Sequence, residues 1–126
     1  MSKIPRIFSV RVTSRPLSFW NTVYEKNKPR PSELRCKRSG LVVARGGGQE
    51  DDSLWQGKDK LHISWKNIKR VRFNKWFNKE IKVELNEGVN SLDQIYIIWF
   101  GGFYKLERTE DIYRVIKQLH DRHKNL

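Results

Sequence analysis

Cationic side chains and aromatic rings are interleaved in one short stretch of this chain, between residues 66 and 79. Such a stretch can dock on an anionic bilayer, because each cation near the surface contributes about 1 kcal/mol and aromatic rings enter the interface. It can also bind a nucleic acid, with cations following the phosphates and rings stacking on the nucleobases. We select six of its side chains as candidate binding residues: Lys66, Lys69, Arg70, Arg72, Lys75 and Trp76. The alternative is a solvated strand face whose rings turn into the core.

The positive charge of the whole chain is concentrated in two blocks. Residues 1–45 contain 11 Lys or Arg against 2 Asp or Glu, residues 61–84 contain 7 against 2, and the total net charge is +12. The rest of the chain is slightly acidic. Two polycationic blocks in one small protein favour a partner that is a polyanion or an acidic surface. The density of the first block is also typical of basic segments that bind RNA.

Two groups of residues have types that could support metal or hydrolytic chemistry. His120 and His123 lie one turn apart on a predicted helix, but no further ligand completes a metal site, so we expect a solvated helix end. Glu80 and Lys82, with Asp59 upstream, are similar to the carboxylate pattern of metal-dependent nucleases, and a nuclease is our third hypothesis. The sequence otherwise predicts a protein that is not an enzyme, with no metal and no cofactor.

Length and composition predict one folded domain, residues 1–126. An aromatic content of 12% supplies apolar area that disordered chains lack. Cys36 is the single cysteine, which excludes an intramolecular disulfide and favours a reducing compartment. The longest apolar run, residues 95–100, is far shorter than the roughly 20 residues of a membrane span. We therefore expect an intracellular, cytoplasmic protein, either soluble or peripherally attached to a membrane.

Hydrophobic periodicity places these residues on strands and one helix. Alternation over 6–13, 60–65 and 79–85 predicts half-buried strands, and residues 34–45 predict two strands hinged at Ser39-Gly40. Residues 94–100 are apolar on both faces, which predicts a strand covered on both sides. Residues 46–53 predict a flexible acidic loop. Thr109 as N-cap and the stripe of Ile112 and Ile116 predict a helix over 109–123. Strands followed by one terminal helix indicate an α+β fold.

From residue 38 onward the order of elements resembles the small pleckstrin-homology-like and GRAM-like domains. Those families carry an I-x-W-x-x-I-x-x-V pattern after a glycine-initiated strand, formed here by Ile63, Trp65, Ile68 and Val71. The resemblance implies a strongly bent antiparallel sheet or partly open barrel, capped by the C-terminal helix. Residues 38–123 would form this core, and residues 1–35 would add a basic N-terminal strand and a short helix. The loop 45–60 is acidic where inositide-binding relatives place cations, so specific inositide capture there is not implied.

The expected function is a non-catalytic interaction module. We expect its basic surface to dock on an anionic membrane or on an acidic protein partner. The alternative is an RNA-binding protein or ribonucleoprotein subunit that uses both basic blocks. Exposed edge strands are common in such folds and would also allow association with further copies.

Overall fold

Seven antiparallel strands form one sheet, described here from a computed structural model. The structure describes residues 7–14, 32–46, 52–74, 80–86, 92–99 and 105–124, with the backbone alone at 52–53 and 105–108. The strands are β1 (Ile7–Thr13), β2 (Ser32–Cys36), β3 (Gly40–Ala44), β4 (Lys60–Ser64), β5 (Ile68–Asn74), β6 (Glu80–Leu85) and β7 (Gln94–Trp99). Their order across the sheet is β4-β3-β2-β1-β7-β6-β5. Two meanders, β1 to β4 and β5 to β7, are thus joined by the pairing of β1 with β7.

The sheet is strongly curled into a half-barrel, and the alternation of side chains along each strand forms its core. Inward positions such as Val10, Leu34, Val43, Ile81 and Ile97 are fully buried. Burial of apolar surface at about 25 cal/mol per Å² makes this concave face the main source of stability. The predicted α+β half-barrel with its C-terminal helix is confirmed.

β7 is buried on both faces, as its sequence predicted. Ile95 and Ile97 point into the core, and Tyr96 and Ile98 on the opposite face are 3% and 8% exposed. β1, which belongs to the N-terminal segment, pairs with both β2 and β7. The short helix predicted for the N-terminal segment lies outside the described residues.

Two α-helices and one 3-10 helix complete the described chain. Helix α1 (Asp52–Trp55) follows β3, and its Leu54 and Trp55 are fully buried. The prediction of a flexible loop at 46–53 was therefore wrong at its end, because an apolar pair draws the chain onto the core. The 3-10 helix (Trp65–Asn67) joins β4 to β5.

Helix α2 (Lys105–Lys124) packs on β7, β5, β6 and the 3-10 helix. It buries Thr109, Ile112, Ile116 and His120, a stripe at helical spacing. The helix begins four residues earlier than predicted, so Thr109 is not its N-cap. The Thr109 hydroxyl instead accepts a hydrogen bond of 3.2 Å from the backbone N–H of Trp99. No helix in the described parts of the chain has both the length and the hydropathy needed to cross a bilayer.

Candidate anion-binding surface

A β-bulge in β5 determines where the candidate cations lie. Ile68 pairs with Leu85 and Arg70 pairs with Glu84, which leaves Lys69 as the extra residue. The bulge restarts the alternation, so Ile68 and Val71 both reach the core although they are three residues apart. Lys69 and Arg70 are consequently both exposed, where regular pleating would turn one of them inward.

Arg70 and Arg72 share a carboxylate on the convex face of the sheet. Their Nε atoms lie 3.5 Å and 3.8 Å from an oxygen of Glu84, and Lys82 Nζ lies 3.7 Å from the other oxygen. Both arginine side chains are about half exposed, so these ion pairs contribute little to stability. One carboxylate among three cations leaves a positive but partly compensated patch.

Trp65, just before the basic residues 66–79, connects the chain to the turn between β2 and β3. Its buried indole N–H donates a 2.9 Å hydrogen bond to the carbonyl of Lys37, and its backbone N–H lies 3.4 Å from the carbonyl of Ser39. Both acceptors belong to the β2–β3 turn, which is formed by Lys37, Arg38 and Ser39. Asn86, at the end of β6, donates to the carbonyls of Lys66 and Asn67 at 2.8 Å each. Four hydrogen bonds therefore join the β2–β3 turn, the 3-10 helix and the end of β6 at one end of the half-barrel.

Helix α2 ends at this same end. Its start is held at the far end of β7 by Thr109, and His120 lies 2.8 Å from the carbonyl of Ile68 through Nε2. Because a carbonyl oxygen only accepts, Nε2 carries the proton of this bond. The last turn of the helix, with Arg122 and Lys124, therefore lies beside the start of β5.

We call this surface the basic end. Its exposed cations come from three separate parts of the chain: Lys37, Arg38, Lys66, Lys69, Arg122 and Lys124. Two described acids lie nearby. Asp93 accepts a backbone hydrogen bond from Leu85 through its carbonyl and is exposed, and Asp121 forms an ion pair of 2.9 Å with Lys117. The described cations thus clearly outnumber the described acids at the basic end.

The candidate residues divide into three groups in the structure. Lys66 and Lys69 belong to the basic end, where they join Lys37 and Arg38. Arg70 and Arg72 lie on the convex face beside Glu84, while Lys75 and Trp76 lie outside the described residues. Sequence analysis did not select Lys37, Arg38 or the end of α2. The hydrogen bonds of Trp65 and His120 place these residues at the basic end.

No Phe, Tyr or Trp ring in the described part of the chain is exposed. Trp55, Trp65 and Tyr96 are buried, and the remaining rings are half-buried. Phe73 packs edge-on against Tyr113 with ring centroids 5.4 Å apart. The exposed side chains that define the basic end are therefore cations and not aromatic rings.

His120 is buried, so the prediction of a solvated position was wrong. It is 2% exposed, its ring lies 6.4 Å from that of Trp65, and its Nδ1 has no hydrogen-bond partner. The signal was present in the sequence, since His120 continues the apolar stripe of Ile112 and Ile116. His62, which lies between the buried Leu61 and Ile63 on β4, is exposed.

The nuclease-like carboxylates do not form a metal site among the described residues, where no group of three potential ligands occurs. Glu80 is buried and lies 3.4 Å from the amide nitrogen of Asn74, whereas Asp59 is exposed.

Burial raises the pKa of Tyr96, and the negative charges of Glu80 and Glu84 raise it further.

Comparisons with protein-family models, with curated proteins and with solved structures found no match. The resemblance to pleckstrin-homology-like and GRAM-like domains stays a prediction.

Proposed function

We propose that this protein is a non-catalytic binding module whose basic end docks on an anionic membrane surface. The observation that supports this most directly is the pair of hydrogen bonds from Trp65 to the β2–β3 turn. They bring the turn that contains Lys37 and Arg38, from the first basic block, against the 3-10 helix that contains Lys66 and precedes Lys69, from the second. A cationic cluster assembled by tertiary contacts is a specific product of the fold.

The chemistry of the basic end favours a bilayer over the other polyanions. Sequence-tolerant binding of single-stranded RNA relies on exposed rings that stack on bases, and no Phe, Tyr or Trp among the described residues is exposed. Protein interfaces are enriched in aromatic residues and depleted in lysine, whereas Lys37, Lys66, Lys69 and Lys124 dominate here. A diffuse anionic surface needs only flexible point charges, which lysine supplies.

The size of the cluster implies weak and reversible attachment. Six cations at about 1 kcal/mol each give about 6 kcal/mol, which corresponds to a dissociation constant of some tens of micromolar. The four cations without the helix end give about 4 kcal/mol, or about 1 mM. Binding of this kind weakens steeply with salt, because exposed charges are screened over about 8 Å at physiological ionic strength.

A matched pair of double variants tests the proposal. Lys66→Glu with Lys69→Glu reverses two cations of the basic end. Lys58→Glu with Lys60→Glu reverses two exposed lysines at the other end of β4, with the same change in net charge. Binding is measured by sedimentation with phosphatidylserine vesicles, and the fold of each variant by thermal unfolding.

The first double variant should bind about a thousandfold more weakly, because each reversal removes an attraction and adds a repulsion, about 2 kcal/mol per site. The control variant should lose less than about tenfold. Equal losses would mean that only net charge matters and would contradict a localised site. Tighter binding of the unmodified protein to single-stranded RNA than to vesicles at physiological salt would favour the RNA-binding alternative.

A further inference from the structure

Ile7, at the start of β1, is the one large hydrophobic side chain among the described residues that is exposed. Its exposed fraction is 59%, on the convex face of the sheet. The neighbouring inward residue, Phe8, packs against the core. Ile7 therefore contributes little to folding, and more than half of its surface is available for burial against a partner.

The strand register places Ile7 beside the cations of the basic end. Ile7 is directly opposite Arg35 on β2, and Arg35 is opposite Val42 on β3. Arg35 is about half exposed and forms an ion pair with Glu33. Lys37 lies two residues further along the same face of β2 and begins the turn that Trp65 holds. One apolar side chain thus stands at the rim of a cationic surface.

We infer that Ile7 is an apolar anchor that enters the interfacial region of an anionic bilayer while the basic end contacts the lipid headgroups. This inference rests on the proposed function and adds an orientation, with the rim formed by β1 and β2 against the membrane. Lysine and arginine beside Ile7 can extend toward the headgroups while the isoleucine goes deeper.

A bilayer fits this arrangement better than a protein partner does. A stable protein interface buries roughly 800 Å² on each side around an apolar centre. Ile7 stands alone as an exposed apolar side chain in the described part of the chain, with Val42 of the same row only 9% exposed. A single inserted side chain supplemented by surrounding cations suffices at a membrane, where the two contributions add.

The first test compares Ile7→Ala, Ile7→Leu and Ser9→Ala in sedimentation with phosphatidylserine vesicles at several salt concentrations. Ile7→Ala should weaken binding about tenfold, because most of the inserted apolar surface is lost. Its dependence on salt should be unchanged, since no charge is altered. Ile7→Leu should bind like the unmodified protein, and so should Ser9→Ala, whose exposed side chain lies two residues along β1.

The second test measures insertion directly. Ile7→Cys carrying an environment-sensitive fluorophore should show a blue shift and increased emission when phosphatidylserine vesicles are added, and neutral phosphatidylcholine vesicles should produce neither. Ser9→Cys carrying the same fluorophore is the control and should respond less. Cys36 is 3% exposed, which protects it from labelling in the folded protein.

The outcomes separate this inference from the proposed function. If the unmodified protein does not bind phosphatidylserine vesicles, both fail. If it binds them but Ile7→Ala binds equally well and labelled position 7 stays in water, the basic end docks on charge alone and only the anchor is refuted. If loss of Ile7 weakens binding to a soluble acidic polypeptide as much as to vesicles, the partner is a protein and the membrane anchor is refuted.

Discussion

Replacing Gly40 with alanine should lower the free energy of unfolding by about 3 kcal/mol. Gly40 closes the β2–β3 turn, and its φ is +152°. This backbone conformation costs a residue with a side chain about 1–3 kcal/mol. Gly40 also exchanges two backbone hydrogen bonds with Lys37, of 2.8 Å and 3.2 Å, so the turn cannot relax without losing them.

The steric cost is added to the backbone cost. A Cβ at position 40 would lie 2.1 Å from the carbonyl oxygen of Ile63 and 2.8 Å from the Cα of Ser64. Both are backbone atoms of β4 and cannot rotate away. β3 and β4 would have to separate by about 1 Å, which weakens at least one ladder hydrogen bond, each contributing about 1 kcal/mol.

Gly57→Ala is the matched control. Gly57 also has a positive φ, of +74°, but a Cβ there meets no atom within 4 Å. It should cost about 1–2 kcal/mol, from the backbone alone. Urea unfolding followed by tryptophan fluorescence gives both values if the slope with denaturant stays constant. If Gly40→Ala costs no more than Gly57→Ala, the close approach of β3 and β4 at this turn is refuted.

Two further predictions concern single buried groups. The pKa of Tyr96 is raised above 10.0 in the folded protein, so the unfolded chain loses this proton at a lower pH. The contribution of Tyr96 to the free energy of unfolding should therefore be fully present below pH 10 and should be lost as the pH rises through the folded pKa. Urea unfolding over a pH series should show this loss of stability. Tyr96→Phe should remove it, and Glu84→Gln should reduce it. An unchanged loss in Tyr96→Phe would contradict its assignment to Tyr96. Thr109→Val should cost about 1–2 kcal/mol, because the hydroxyl that accepts the Trp99 N–H is lost. Thr109→Ser keeps the acceptor and should cost less in the same assay, so equal costs would mean that the methyl group matters instead.

The strands were predictable because their signal is local. Alternation at Ile81, Val83 and Leu85 reports which side chains face the core, and these three are buried. The continuous apolar run of β7 likewise predicted burial on both faces. The bulge at Lys69 does not follow from alternation, because Ile68 and Val71 are three residues apart. A bulge is defined by pairing with another strand, which one sequence segment does not contain.

The errors concern polar residues whose role depends on tertiary contacts. Thr109 has the chemistry of an N-cap, and the helix instead uses its hydroxyl to bond a strand. His120 has the chemistry of a solvated or ligating side chain, and the fold instead buries it against Ile68. Both residues continue the apolar stripe of α2, and both are buried, whereas the predictions followed the residue type. Periodicity was the better guide, because a packed helix face buries whatever occupies it.

A cationic surface could be predicted from the sequence, but the residues that share it could not, because charge density along a chain differs from charge density in space. Arg70 and Arg72 are adjacent to Lys69 in sequence, yet pairing of β5 with β6 gives them Glu84 as a shared partner. Lys37 is 29 residues before Lys66, yet the indole of Trp65 brings their segments together. Trp65 is one of the residues that carry the sequence resemblance, and its contribution to the basic end is indirect. A residue that binds no ligand thus assembles the cations that would bind one.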